Sequence, residues 1–192
     1  PVLKRLEIEA DFPQNITFAQ SNLMKSYYQQ EDYAQTIVYA ERVLQNGKIE
    51  NQVKSDAQVF IARSAIKTGD ENRAKSAYQE VQKIAKGELA AEAQYYEAYF
   101  LRKDSKFKES NAAVQVLAKD FSGYKMYGAK GLVIMAKNFY DLKDAYQATY
   151  ILENVINNFE AFPEVVEEAK AELIRIKTEE AKTNSSVETN PN

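Results

Sequence analysis

The sequence predicts an all-α protein, an α-solenoid of about four helical hairpins followed by a C-terminal capping helix. Only four prolines and six glycines occur among 192 residues. Because both residue types interrupt helices, their scarcity favours long helices joined by short turns. Apolar residues also recur at spacings of three and four, the period of one helix face. The third observation is an internal repeat that keeps one register through four successive units.

The repeat appears when the chain is aligned with itself. An Ala-Gln pair at 19–20, 57–58 and 93–94 corresponds to Gly131-Leu132 in a fourth unit, so the intervals between units are nearly constant. The residues five positions after the start of each pair are Met24, Ala62, Ala98 and Ala136. The small residues that follow a turn are Thr36, Ala74, Ser110 and Ala148, and the branched residues seven positions later are Val43, Val81, Leu117 and Val155. Small residues at a fixed position let two helices approach, so each unit is predicted to be a hairpin that stacks on its neighbours.

This register predicts four helix pairs. They are 16–30 with 33–46, 52–67 with 70–85, 89–103 with 106–119, and 126–141 with 144–158. The corresponding units are 16–46, 52–85, 89–119 and 126–158, within one solenoid that covers residues 1–182.

The two ends complete the array. Residues 163–182 are predicted to form the capping helix, because Pro163 suits a first turn and apolar residues at 166, 169, 173 and 176 form one stripe. Residues 183–192 have little to bury and are predicted to be a disordered polar tail. Near the start, Leu3, Leu6 and Ile8 indicate a short additional helix.

The pattern resembles the tetratricopeptide repeat (TPR) consensus when Thr17, Ser55, Ala91 and Ala129 are taken as first positions. The alanines and methionine named above then fall at consensus position 8, and the small residues at position 20. The period is slightly longer than that of the consensus, no tryptophan is present, and the turn glycine is found only as Gly69. The chain is also similar to the C-terminal part of large envelope-associated TPR proteins of Gram-negative bacteria.

The resemblance implies a right-handed solenoid that binds other proteins, as a scaffold or adaptor in a larger envelope complex. It favours a location in the periplasm or at the outer membrane, with the cytoplasm as the alternative.

The residue types indicate that the chain is not an enzyme. It contains no histidine and no cysteine, which removes the commonest general base, the thiol nucleophile and the usual transition-metal ligands. No glycine-rich phosphate loop is present, so we expect no cofactor and no metal. A net charge of −3 argues against nucleic acid as a partner, and no apolar run is long enough to span a membrane.

The resemblance also implies that the first helix of each hairpin lines a concave groove. The family's groove positions fall on Phe18, Ser21, Lys25, Tyr28 and Gln29 in the first unit, on Asp56, Val59, Arg63, Ile66 and Lys67 in the second, on Glu92, Tyr95, Tyr99, Arg102 and Lys103 in the third, and on Lys130, Val133, Lys137, Tyr140 and Asp141 in the fourth. Seven of these residues are basic and three acidic, a net of +4 in a chain whose total is −3.

We therefore predict a basic, tyrosine-rich groove that accepts an acidic peptide segment or helix. Its residues are Lys25, Tyr28, Gln29, Arg63, Ile66, Lys67, Tyr95, Tyr99, Arg102, Val133, Lys137 and Tyr140. Reversal of charge at Arg63 and Arg102 is expected to abolish binding and to leave thermal stability nearly unchanged. The alternatives are that these cations are ordinary solvated side chains, and that the segment is a structural spacer or cap of a longer TPR chain without its own partner.

Overall fold

The computed structural model describes residues 2–188, which contain ten α-helices and no strand. The helices are α1 (Val2–Glu9), α2 (Pro13–Gln29), α3 (Tyr33–Gln45), α4 (Asn51–Thr68), α5 (Glu71–Ile84), α6 (Gly87–Lys103), α7 (Phe107–Asp120), α8 (Lys125–Asp141), α9 (Ala145–Asn158) and α10 (Pro163–Glu188). The all-α prediction is confirmed. Each helix of the four predicted pairs overlaps one of these helices, and the ends lie close to the predicted ones.

The main difference lies at the C-terminal end. Helix α10 continues to Glu188, six residues past the predicted end of the capping helix at residue 182. Neither proline nor glycine follows Pro163 within this helix, and the Thr183 hydroxyl donates to the carbonyl of Glu179 at 3.0 Å. The remainder of the predicted tail, 189–192, lies outside the described residues.

The helices form two compact units, residues 1–93 and 94–192, where the sequence predicts one array. In the first unit, α1 to α5 pack in chain order and α2 also contacts α4. In the second unit, α7 to α10 pack in chain order and α10 also contacts α8. The first helices α2 and α4 therefore lie side by side, as do α8 and α10.

The predicted core positions are buried in all four hairpins. Met24, Ala62, Ala98 and Ala136 are at most 1% exposed. The small residues after the turns, Thr36, Ala74, Ser110 and Ala148, are 0% exposed. In the third hairpin the two positions touch, because the Ser110 hydroxyl donates to the carbonyl of Ala98 at 2.7 Å. These small residues thus let the two helices of a hairpin meet.

The turn inside each hairpin has one backbone geometry. Its residue of positive φ is Glu31 (59°), Gly69 (79°), Ser105 (58°) or Lys143 (69°). The next amide donates to the carbonyl five positions earlier, from Asp32 to Tyr27, Asp70 to Ala65, Lys106 to Leu101 and Asp144 to Phe139, at 2.9–3.0 Å. These bonds satisfy carbonyls at the end of the first helix in a Schellman motif. The motif recurs although only one of the four turns uses glycine.

The residue after the positive φ also begins the second helix. The carboxylates of Asp32, Asp70 and Asp144 accept the amides of the third following residues at 3.0, 3.1 and 2.9 Å. Each is therefore an N-cap. The third hairpin has Lys106 at this position and lacks a side-chain cap.

Helix α10 keeps the repeat register. The connection before α8 and the connection before α10 share a hydrogen bond at equivalent positions: Tyr124 donates to the carbonyl of Phe121 at 2.9 Å, and Phe162 donates to the carbonyl of Phe159 at 2.9 Å. Ala169, which stands one repeat after Gly131, is 0% exposed. Helix α10 therefore takes the place of the first helix of a fifth hairpin.

Candidate partner-binding surface

In the first unit, the predicted groove residues lie on the adjacent helices α2 and α4. The residues Lys25, Gln29 and Lys67 are exposed, and Tyr28, Arg63 and Ile66 are half-buried. The Tyr28 ring meets the Phe60 ring edge to face, with 5.1 Å between centroids, and so links the two helices. The predicted groove residues of this unit thus include polar, accessible side chains around a fixed aromatic ring.

Arg63 is bound to a buried carboxylate. Its Nε and Nη2 donate to the two oxygens of Glu92 at 2.8 and 2.5 Å, and the Tyr78 hydroxyl donates to the same carboxylate at 2.7 Å. Glu92 is 3% exposed and Tyr78 is 2% exposed. Burial raises the pKa of the Tyr28 hydroxyl, and the charge of nearby Arg63 opposes that rise. Because charge reversal at Arg63 would replace this attraction with a repulsion beside the buried Glu92, the contacts argue against an unchanged stability for that variant.

Lys25 and Lys67 differ from Arg63. Within residues 2–188 the structure shows no hydrogen bond or ion pair for either ammonium group, and both side chains are exposed. They remain available cations on this face, one on α2 and the other on α4.

In the second unit, Arg102 belongs to a buried polar network that sequence reasoning missed. It forms an ion pair with Asp141 at 2.7 Å and donates to the side-chain oxygen of Asn138 at 2.8 Å. Asn138 is 0% exposed and donates to Ser110 Oγ and Asn111 Oδ1, each at 2.8 Å. No repeat pattern signals Asn138, since Ser26, Ser64 and Phe100 stand at the equivalent positions.

Tyr95 and Tyr99 lie in an aromatic cluster on α6. Tyr95 contacts the rings of Tyr96 and Tyr127 at 5.0 and 6.1 Å between centroids, and the Lys130 ammonium lies 5.9 Å from its ring centre. Burial raises the pKa of the Tyr95 hydroxyl strongly. The ammonium of Lys103 lies 6.0 Å from the centre of the Tyr99 ring. These cations contact aromatic faces in the chain itself.

Helix α10 engages the groove residues of α8. The Lys137 ammonium pairs with Glu168 at 2.7 Å, and the Tyr140 hydroxyl donates to Glu179 at 2.9 Å. Arg175 lies 5.0 Å from the centre of the Tyr140 ring and also pairs with Glu179. Burial, followed by the hydrogen bond to Glu179, raises the pKa of Tyr140 to about 12. These side chains fasten α10 to α8.

Val133 is not a groove residue. It is 1% exposed and belongs to the core formed by α8, α9 and α10. Val59, at the equivalent position two units earlier, is also 1% exposed. This repeat position is covered in both places, so its assignment to an accessible groove was wrong for both valines.

The pairs Arg63–Glu92 and Lys137–Glu168 occupy the same repeat positions. One position of successive repeats is occupied by Glu92, Lys130 and Glu168. A second position is occupied by Arg63, Tyr99 and Lys137. Glu168 was missed because the predicted repeat ended at the fourth hairpin. Extension of the repeat by one further unit predicts its position.

Residues 2–188 contain no group of three or more acidic, histidine or cysteine side chains placed to hold a metal ion. No helix in that span has the length and apolarity needed to cross a bilayer. The sequence matches no protein-family model, and its comparison with curated proteins gives no match.

Proposed function

We propose that this chain is a non-catalytic scaffold of the TPR type, in which the hairpins of each unit stack as in an α-solenoid and the first helices bind a protein segment. The observation that carries the proposal is the repeated burial of the two positions where each hairpin closes, from Met24 and Thr36 to Ala136 and Ala148. Such hairpins bury their remaining apolar faces by stacking, which leaves a side-by-side row of first helices as an extended surface. The TPR assignment rests on the resemblance of this register.

The binding face that the contacts favour is the one on α2 and α4. Lys25 and Lys67 supply accessible positive charge, and Gln29 supplies an amide that donates and accepts. Tyr28 offers a ring already held against Phe60, so little side-chain freedom is lost when a partner packs on it. The partner class is an acidic peptide segment or helix, because carboxylates complement these cations.

A selection experiment tests this function. Random short peptides displayed on phage are selected against the intact protein, and we expect enrichment of Asp and Glu beside aromatic or aliphatic residues. The double variant Lys25→Glu/Lys67→Glu should weaken binding of a selected peptide by about tenfold or more, with an unchanged melting temperature. Calorimetric titration and thermal unfolding provide the two measurements.

The matched control is Lys48→Glu/Lys86→Glu. It makes the same change in net charge at exposed lysines outside α2 and α4. Binding that falls equally in both double variants would show only a general charge effect and would remove the face on α2 and α4 from consideration.

The second candidate is a structural spacer or cap, and the second unit favours it. There Arg102, Lys137 and Tyr140 are all engaged by side chains of the same chain. A selection that enriches no peptide above background would support this candidate and contradict the scaffold.

A further inference from the structure

One position in α10 departs from the repeat. Ile174 follows Met24, Ala62, Ala98 and Ala136 in register, one repeat after the last of them. Those four residues are at most 1% exposed, whereas Ile174 is 67% exposed. The first four are covered by the second helix of their own hairpin, and α10 has no such helix among the described residues. Ile174 therefore marks an open helix-binding face.

The two sides of α10 differ sharply. On the side toward α8 and α9, Val165, Ala169 and Ile176 are at most 3% exposed. The open side presents Ile174 with Glu167, Lys170, Lys177 and Ala181, all of them exposed. These residues lie three, four or seven positions from Ile174, so they surround it on one face of the helix.

The geometry of the existing hairpins defines the occupant. In the third hairpin the covering helix places Ser110 against Ala98, with a hydroxyl-to-carbonyl hydrogen bond of 2.7 Å. In the first hairpin a long side chain, Met24, is matched with Thr36, and both are buried. A helix that covers Ile174 in the same way therefore carries a small residue at its centre and an apolar stripe on either side.

The charges favour an acidic helix over a second copy of the chain. Two antiparallel α10 helices centred on Ile174 would bring Lys170 of one copy toward Lys177 of the other, and like charges repel there. Glu167 and Glu153 already pair with these lysines, at 2.7 and 2.9 Å, through exposed contacts that a partner can replace at little cost.

We propose that the exposed face of α10 around Ile174 docks an acidic amphipathic α-helix of a partner protein, which completes a fifth hairpin. This surface is separate from the face on α2 and α4, so the proposal goes beyond the proposed function.

A probe of defined sequence tests it. The capped peptide of residues 144–159 carries Asp144 and Glu153 without a basic residue, and it has Ala148 at the small position. We expect this fluorescein-labelled peptide to bind the intact protein saturably below about 1 mM, with affinity that falls as salt rises. Fluorescence anisotropy measures both effects.

Two substitutions probe the contact. Ile174→Glu in the protein should weaken peptide binding by about tenfold or more, because a carboxylate would replace the apolar contact and repel the acidic peptide. Ala148→Leu in the peptide should weaken it similarly by holding the helices apart. The protein control is Ile8→Glu, since Ile8 is another isoleucine on a helix, 82% exposed. This control should bind as the parent does.

Each other outcome contradicts the proposal. Absence of saturable binding, or equal affinity of the Ile174→Glu variant, would show that this face is only a solvated end. A concentration-dependent dimer that Ile174→Glu dissociates would identify a second copy as the occupant. Because Lys25 and Lys67 do not contribute to this face, their double variant should bind the peptide normally, and failure of either proposal leaves the other intact.

Discussion

Arg63 and Lys137 occupy one repeat position and each pairs with a carboxylate in a following first helix, yet their surroundings differ. Glu92, the partner of Arg63, has a side chain 4% exposed, whereas that of Glu168, the partner of Lys137, is 51% exposed. A carboxylate left unpaired in the interior loses stabilisation that solvent cannot replace. The two pairs therefore form a natural comparison of buried and exposed ion pairs in one fold.

At the residue scale, we predict that Arg63→Glu lowers the free energy of unfolding by about 3 kcal/mol, since it places two carboxylates together beside the buried Tyr78 hydroxyl. The side chain of Arg63 is 33% exposed, so the loss should lie near the lower end for buried pairs. Lys137→Glu is the matched control and should cost about 1 kcal/mol or less. Urea unfolding measures both variants, and equal losses would contradict the role assigned to Glu92.

The sequence predicted the residues at which the two helices of each hairpin meet. It did not predict all the residues that determine which side chains are accessible on the surface. The repeat spacing predicts the positions of Ala98 and Ser110, because the contact between the two helices of one hairpin is local and recurs in every hairpin. Val133 was misassigned because its burial depends on α10, which the repeat pattern had not included. The hydrogen-bond network around Asn138 depends on an asparagine that the other repeats lack at this position, so the periodicity of the sequence does not predict it.

At the scale of the element, the four hairpin turns share a Schellman motif, and three of them continue into an aspartate N-cap. The motif tolerates Glu31, Ser105 and Lys143 at positive φ, although a residue other than glycine is strained there. The sequence predicts the turns from their polar residues, but the αL geometry shared by the four is visible only from the backbone. The third turn is the least supported, since it has neither glycine nor a capping side chain.

We predict that Lys106→Asp stabilises the protein by about 1 kcal/mol, because the new carboxylate would accept the amide of Glu109 as Asp70 accepts that of Arg73. The expected readout is a higher urea midpoint with an unchanged slope. Asp70→Lys is the reciprocal variant and should destabilise by a similar amount. A Lys106→Asp variant that unfolds like the parent would show that the third turn gains nothing from a cap.

At the scale of the whole molecule, the chain consists of two compact units, each with its own buried residues. The repeat predicts that each hairpin shares its core with a neighbour. The division after residue 93 was not predictable, because the register continues through it without interruption.

We predict that Ala98→Glu unfolds the second unit and leaves the first unit folded. Ala98 is 0% exposed and packs with Ala113, Val114 and Ile134, so an unpaired carboxylate there would cost several kcal/mol. Amide hydrogen exchange should show lost protection in residues 94–188 and retained protection in residues 2–93. Val116→Glu is the control, since Val116 is 40% exposed on α7, and it should preserve protection in both units.

The hydrogen-bonded turn inside each hairpin also determines where the chain can change length. Its bonds fix the number of residues between paired helices, so an insertion there would rotate every following side chain out of register. The links between hairpins are freer, since one spans 46–50 and another only 85–86. Evolutionary insertions and deletions should therefore be found mainly between hairpins, and engineered loops or tags should be tolerated there. At these sites they change the spacing of successive hairpins and preserve the packing of each helix pair.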